Sequence, residues 1–235
     1  MIKWTYIKND LKQLFREPIM ALLLFLPLFI PIIFKLILAF LVPFIQGLTP
    51  FDITPFTPYI ISFVLILSPS LLGVVMGFML IDDRDNNIVA LMQITPMGQS
   101  GYLMQRLLLV FALILLYVPY SYAILGLFDI NFLSFVFLTI LLAIYGGIVG
   151  LLLFRLASDK VNGLTYAKML NIIMLFAFAN LLNVKWITIL AGFFPPYWIS
   201  QIILEPTNIM AYLLGFIVHG IWLGLCLIGF SRQKY

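Results

Sequence analysis

The sequence predicts an all-α, polytopic membrane protein with six transmembrane helices, an N-terminal interfacial amphipathic helix and a re-entrant helical hairpin before the last span. Composition and run length support this. Of the 235 residues, 64% are hydrophobic and 9% are charged, whereas a typical soluble domain is about 45–50% apolar and about 25% charged. The mean hydropathy is +1.15. These values exclude a soluble globule and a disordered chain, and residues 1–235 are expected to form a single transmembrane domain.

The predicted spans are apolar stretches long enough to cross a hydrocarbon core of about 30 Å, which takes about 20 helical residues. They cover about 19–44, 58–81, 107–128, 132–154, 164–182 and 209–230. The segment 186–204 differs because Pro195 and Pro196 divide it into halves of roughly 13 Å each. We interpret it as an extracytoplasmic re-entrant hairpin with Trp186, Tyr197 and Trp198 at headgroup depth.

The basic residues predict the orientation. With six spans, 11 of the 13 Lys and Arg fall on one side of the membrane. The positive-inside rule therefore predicts a multi-pass protein of the cytoplasmic membrane with both termini in the cytoplasm. A seventh span would move Arg232 and Lys234 to the outside.

An amphipathic helix is predicted over 1–17, ahead of the first span. Its polar face includes Asp10 and Gln13, Arg16 lies near its end, and Pro18 marks the bend into the membrane. The alternative is an ordinary basic flanking segment. The apolar stripe at helical spacing consists of Trp4, Ile7, Leu11, Leu14 and Phe15.

A second short helix is predicted in the cytoplasmic segment 82–101. The acidic opening suits a helix N-terminus, Asn86 or Asn87 is the expected N-cap, and Pro96 with Gly98 ends the run. Its apolar face needs a partner, or else it lies among lipid headgroups. The residues singled out here are Asp82, Asp83, Asp85, Asn87, Ile88, Leu91, Met92, Ile94, Thr95 and Pro96.

The sequence offers little enzymatic chemistry. It contains neither a G-x-x-x-x-G-K-[ST] nor a G-x-G-x-x-G motif, so no nucleotide cradle is expected. One histidine, His219, and one cysteine, Cys226, cannot form a metal site within one copy. No catalytic residue, metal or cofactor is therefore predicted in this chain, and no nucleic-acid binding, because the basic excess reports topology.

Polar residues inside the spans are candidates for a transport pathway because they are costly in lipid. Lys35 is close enough to the outer surface to snorkel there instead. Hydrogen bonding within the bundle is the alternative for Asn171 and Asn180, and an interhelical hydrogen bond for His219. Three glycine pairs would let helices approach closely, within one chain or between two copies, namely Gly73/Gly77, Gly146/Gly150 and Gly220/Gly224.

The segment after the second span resembles the type-two ABC exporter permeases, which carry roughly E-x-x-x-G-T-L-x-x-L-L-x-x-T-P at this place. Here the acids of 82–85, the pair Leu91-Met92 and the pair Thr95-Pro96 match, whereas Asn86-Asn87 replace Gly-Thr. The Arg16-Glu17-Pro18 junction and the Pro-Pro-Tyr-Trp of the hairpin are also similar to this family, so the likeness covers nearly the whole chain.

The resemblance implies a permease subunit driven by a separate ATPase chain that carries ATP and Mg²⁺. That ATPase would grip the coupling helix within 82–101, and the interfacial helix would add contacts. A second copy, or a homologous permease, would complete a pathway in contact with membrane lipid. The apolar, aromatic-rich spans suit a hydrophobic or amphipathic cargo, such as an antimicrobial peptide or a lipophilic drug. The alternatives are an ion-coupled secondary transporter and a transport-inactive sensor or immunity subunit.

Overall fold

A computed structural model of the chain describes residues 10, 12–49, 52–96, 98–126 and 131–232. In these ranges the regular structure is helical, with no strand, and six helices are long and apolar enough to cross a membrane. The predicted all-α fold with six spans is confirmed. The α-helices are α1 Pro18–Leu48, α2 Thr57–Asp85, α3 Ile88–Gln93, α4 Gly98–Leu125, α5 Phe132–Leu156, α6 Lys160–Ile172, α7 Lys185–Ala191, α8 Pro195–Leu204 and α9 Ile209–Arg232, with 3₁₀ helices at Thr54–Phe56 and Ile173–Leu182.

Helix α2 is the centre of the bundle and α1 lies at its edge. In the most apolar window of each helix, 94% of α2 is buried but only 17% of α1. Proline at the start of each helix fits its first turn, where the missing N–H has no partner to lose. Pro27, Pro31 and Pro43 lie inside α1 without ending it, as is tolerated in spanning helices.

Glycines allow α2 to pack closely against α5. A Cβ added at Gly150 would lie 2.7 Å from the carbonyl oxygen of Gly73, and one added at Gly77 would overlap Leu153. These two predicted pairs therefore make contacts within one chain. The third pair differs, because a Cβ at Gly220 or Gly224 meets nothing within 4 Å.

The fifth span changes its helical form halfway. It begins as α6 and continues from Ile173 to Leu182 as a 3₁₀ helix, whose rise of about 2.0 Å per residue exceeds the 1.5 Å of an α-helix. Side chains hold both parts. The Ser70 hydroxyl donates to Asn171 Oδ1 at 2.7 Å, and the Asn180 amide donates to Gln201 Oε1 at 2.9 Å.

The segment before the last span is a bent pair of short helices. Helices α7 and α8 meet at 111°. The indole of Trp222 donates to the Phe193 carbonyl at 2.8 Å, and Trp222 lies about 20 Å along α9. The bend therefore reaches well into the bundle. Tyr197 of α8 is buried, and its hydroxyl donates to Asn180 Oδ1 at 3.4 Å.

Candidate functional site

Charged side chains from four parts of the chain meet at one end of the bundle. The contributing parts are the N-terminal segment, the end of α2, the start of α4 and the start of α6. We call this cluster the charged junction, and it consists of Asp10, Gln13, Glu17, Asp82, Asp83, Tyr102, Gln105, Arg106 and Lys160.

Arg106 is at the centre of the buried half of the junction. Its guanidinium lies 2.8 Å from the Asp10 carboxylate and also forms an ion pair with Asp83. The Tyr102 hydroxyl donates to Asp83, and the Gln105 amide donates to Asp10 at 3.1 Å. Arg106, Asp10 and Asp83 are all at most 7% exposed at their side chains. Buried charges of this kind are tolerated because they are paired and hydrogen-bonded.

Lys160 organises the more exposed half. Its ammonium group pairs with Glu17 and lies 2.8 Å from Asp82 Oδ1. Gln13 joins the two halves, because its amide nitrogen donates to Asp82 at 3.0 Å while its oxygen accepts from Arg106 at 3.2 Å. The junction thus connects residues far apart in sequence into one unit at the ends of α2, α4 and α6.

Burial and the neighbouring charge shift the pKa of the Asp10 carboxyl in opposite directions. Removal from water raises its pKa, while the Arg106 guanidinium and the Gln105 amide favour the ionised form, and the net direction is upward. Asp10 and Asp83 share Arg106, and Glu17 and Asp82 share Lys160, so the junction holds four acids and two bases.

A polar cavity of about 560 Å³ opens beside the junction, between the N-terminal segment and the start of α3. Ile88 adds an apolar edge to it. The residues lining the cavity are Lys12, Gln13, Arg16, Glu17, Asp82, Asp83, Asn86 and Ile88.

The acids predicted to open the coupling helix are located elsewhere. Asp82, Asp83 and Asp85 belong to the last turn of α2, which ends at Asp85. Asp82 and Asp83 bind cationic and amide side chains of the junction rather than the N-terminus of α3. Asp85 lies 3.6 Å from Arg84. The expected helix-dipole role is therefore wrong, because α2 continues one turn past the predicted end of the span.

Asn87 precedes α3 but does not cap it through its side chain. Its φ of 57° is left-handed, and its side chain makes no capping hydrogen bond. Asparagine tolerates this conformation better than most residues. Asn86 bonds back to the Asp82 carbonyl at 2.8 Å. The pair Asn86-Asn87 thus makes the tight turn between α2 and α3.

Helix α3 presents part of its apolar surface outward. Val89 is buried, and Met92 packs against the core. Leu91 and Ile94 are 57% and 85% exposed. Thr95 turns back to the Met92 carbonyl at 2.8 Å, and Pro96 follows outside the helix. The predicted single stripe is therefore divided between an inner and an outer face.

The N-terminal segment contacts the bundle through both apolar and polar residues. Residues 12–16 are helical, Leu14 is fully buried, and Phe15 is exposed with its ring 5.9 Å from that of Phe25. Asp10 and Gln13, predicted on the polar face of this helix, point into the junction. Arg16 lines the cavity. Trp4, Ile7 and Leu11 lie outside the described residues.

The candidate pathway residues do not meet. Lys35 is exposed on α1, and Asn171 and Asn180 bind α2 and α8 respectively. His219 is fully buried, and its Nδ1 lies 2.7 Å from the Gly215 carbonyl of its own helix. The predicted interhelical bond is therefore wrong for this nitrogen. Within the described ranges no group of three or more His, Cys, Asp or Glu is placed to hold a metal ion.

Several junction residues were not singled out by sequence reasoning. Arg106 and Lys160 served there only to predict topology, and Tyr102 and Gln105 were not used. A signal was present, because ionisable residues at the edge of an apolar run are costly unless paired. Their partners could not be identified, since Gln105 and Asp10 are 95 residues apart. Arg84 was also missed, and it caps α5 through the carbonyls of Ala157 and Ser158 at 2.9 and 2.6 Å.

Six apolar helices with a charged junction at one end define a multi-pass membrane protein. The chain belongs to the family described as Rv2686c-like fluoroquinolone export permeases, whose model matches residues 10–228. This confirms the resemblance to export permeases.

Two curated relatives from Mycobacterium tuberculosis match the chain. They are the fluoroquinolones export permease proteins Rv2686c, of strain H37Rv, and MT2760, of strain CDC 1551 / Oshkosh. Each is 23% identical over 201 residues, which cover 83% of this chain and 78% of the relative. No solved structure matches.

Proposed function

We propose that this chain is the transmembrane subunit of an ATP-driven exporter of the cytoplasmic membrane, and that a separate ATPase chain docks on α3. The observation that carries the proposal is the outward face of α3. Leu91 and Ile94 are exposed at the same end of the bundle as the charged junction. An exposed apolar patch rimmed by polar residues is typical of a protein interface.

The charged junction supports a role for this end of the bundle in passing movements of α3 to the spanning helices. Helix α3 lies one tight turn after Asp83, and Asp83 is bound to Arg106 on α4. A displacement of α3 would therefore reach α2 and α4 through short, buried connections. Movements of packed helices at an interface are an established way to convert local binding into a change of state.

The chain itself offers no phosphate loop, so the energy for transport would come from the partner with its ATP and Mg²⁺. A second copy of this chain or a homologous permease would complete the pathway. Both termini would then face the cytoplasm, following the distribution of Lys and Arg.

A lipophilic drug is the cargo we favour over an antimicrobial peptide. The support is the name of the M. tuberculosis relatives, which are called fluoroquinolones export permease proteins. The apolar spans of this chain suit an amphipathic aromatic molecule. An ion-coupled carrier is less well supported, because its candidate polar residues Lys35, Asn171 and His219 make no contact with one another in the described structure.

The test is co-purification of an ATPase from native membranes. Leu91→Asp should abolish it, because a carboxylate cannot be buried in an apolar interface without a partner. Val161→Asp is the matched control, since Val161 is 78% exposed on α6 at the same end. Both variants should insert normally. Equal recovery of an ATPase with the two variants, or none with the wild type, would refute the proposal.

A further inference from the structure

A second cavity lies at the same end of the bundle, between the first turns of α4 and the last turns of α9. Its volume is about 480 Å³, within the range of sites that bind drug-sized molecules. Leu103 and Leu107 of α4 face Leu227 and Phe230 of α9 across it. We call this cavity the α4–α9 cleft.

The cleft is apolar with a polar end. Gln99 and Ser100, in the first turn of α4, provide that end. The amide nitrogen of Gln99 is buried and has no hydrogen-bond partner in the described part of the chain. A buried donor without an acceptor is unfavourable, and the cost disappears when an acceptor is supplied.

One part of the cleft wall is buried in the bundle, and the other part is exposed. Leu103 and Phe230 are buried, and Phe230 packs against Phe154 of α5 with ring centroids 5.6 Å apart. Leu227 and Ser100 are exposed. A molecule could therefore enter from outside the bundle without opening it.

We propose that the α4–α9 cleft is the site where an amphipathic aromatic cargo enters the protein from the adjacent membrane leaflet. Its rings lie between Leu103 and Leu227, and the Gln99 side chain turns into the cleft so that its amide nitrogen donates to an acceptor oxygen of the cargo. The identity of the cargo rests on the proposed export function, whereas the site rests on the cleft. A fluoroquinolone fits this description, because it joins a flat aromatic bicycle to keto and carboxylate oxygens.

The test uses the full-length protein in nanodiscs and the fluoroquinolone norfloxacin as the probe. Cys226, the sole cysteine, is replaced by serine, and Ser100→Cys supplies a reporter at the cleft. Ser158→Cys is the matched control, since Ser158 is exposed at the same end but does not line the cleft. Norfloxacin should slow N-ethylmaleimide labelling at position 100 and leave labelling at position 158 unchanged.

Two further variants test the chemistry. Leu227→Trp should fill the cleft and abolish the protection, whereas Ile228→Trp, on an exposed position outside the cleft, should not. Gln99→Leu should weaken norfloxacin binding by about fivefold to tenfold, as expected for one hydrogen bond. Equal protection at positions 100 and 158, or protection that survives Leu227→Trp, would overturn the proposal.

The outcomes separate this proposal from the proposed function. Export of norfloxacin by the complex without protection at position 100 would refute the cleft and leave the export function standing. Specific protection at position 100 in a chain that recruits no ATPase would support the cleft and refute the ATP-driven mechanism.

Discussion

The guanidinium of Arg106 lies 2.8 Å from the carboxylate of Asp10, and this pair attaches the N-terminal segment to the third span. Arg106 also holds Asp83, which lies in the last turn of α2, just before helix α3. One buried cation thus joins three elements that the sequence separates. The stability of this end and its transmission of movement both depend on Arg106.

Arg106→Ala is expected to destabilise the folded protein by about 3–5 kcal/mol, because it leaves Asp10 and Asp83 buried without a cation. Arg106→Lys should recover only part of the loss, since an ammonium group lacks the planar guanidinium that contacts Asp10, Asp83 and Gln13 at once. Thermal unfolding in detergent measures the change. Arg155→Ala is the control at an exposed position of the same end. Equal melting temperatures for Arg106→Ala and Arg155→Ala would contradict the central role of the junction.

The raised pKa of Asp10 makes stability depend on pH. Between the ordinary value of 3.8 and the raised folded value, the folded state binds more protons than the unfolded state. Stability contributed by this group therefore falls as pH rises through that window and is regained on acidification. Asp10→Asn, which resembles the protonated form, should lose this dependence.

Unfolding midpoints of the wild type and of Asp10→Asn, measured at a series of pH values above 3.8, test this directly. The difference between the two isolates Asp10 from other groups. Asp159 does not interfere, because hydrogen bonds from Asn162 lower its pKa and its contribution is lost only below the ordinary value. A constant difference across the series would show that Asp10 does not titrate in this window.

Gly150→Ala should force α2 and α5 apart, because its Cβ would lie 2.7 Å from the Gly73 carbonyl oxygen. Overpacking of this kind costs about 1–3 kcal/mol. Gly220→Ala is the matched control in another span, since its Cβ meets nothing within 4 Å. The fraction of folded, monodisperse protein after extraction and its melting temperature are the measurements. A loss for Gly220→Ala as large as for Gly150→Ala would indicate a general effect of removing helical glycine.

The hydrogen bond from Asn180 to Gln201 should hold the 3₁₀ half of the fifth span to α8. A double-mutant cycle with Asn180→Leu, Gln201→Leu and the combination measures it. The coupling should be about 0.6 kcal/mol, the average found for hydrogen bonds between membrane helices, and at most about 1.7 kcal/mol. If the losses of stability in the two single variants add up to the loss in the double variant, this hydrogen bond contributes nothing to stability.

Sequence reasoning succeeded where one segment carries the whole signal. A run of about 20 apolar residues is sufficient to specify a span, so the six spans followed from length and hydropathy. The bend between α7 and α8 followed from Pro195 and Pro196. Helix α3 was located by its spacing and by Pro96, and the structure begins it at the expected Ile88.

Sequence reasoning failed where the role of a residue depends on a partner that is distant in the chain. Asp82 and Asp83 were assigned to α3, but Lys160 and Arg106 hold them at the end of α2. An interfacial helix is expected to turn its polar face to water, yet Gln13 binds Asp82, Asp83 and Arg106 inside the junction. A single helix cannot reveal which of its faces meets another element when both carry groups that can be buried.

The sequence alone determined that this chain lies in a membrane, how many times it can cross, and where a short amphipathic helix interrupts it. Those properties depend on the free energy of transferring each segment from water, which is local and nearly additive along the chain. Only the tertiary structure decided that Asp10, Asp83 and Arg106 share one buried site, because pairing depends on distances between helices. The cleft beside Gln99 has the same origin, since a cavity is a property of the space between two elements and is encoded in neither.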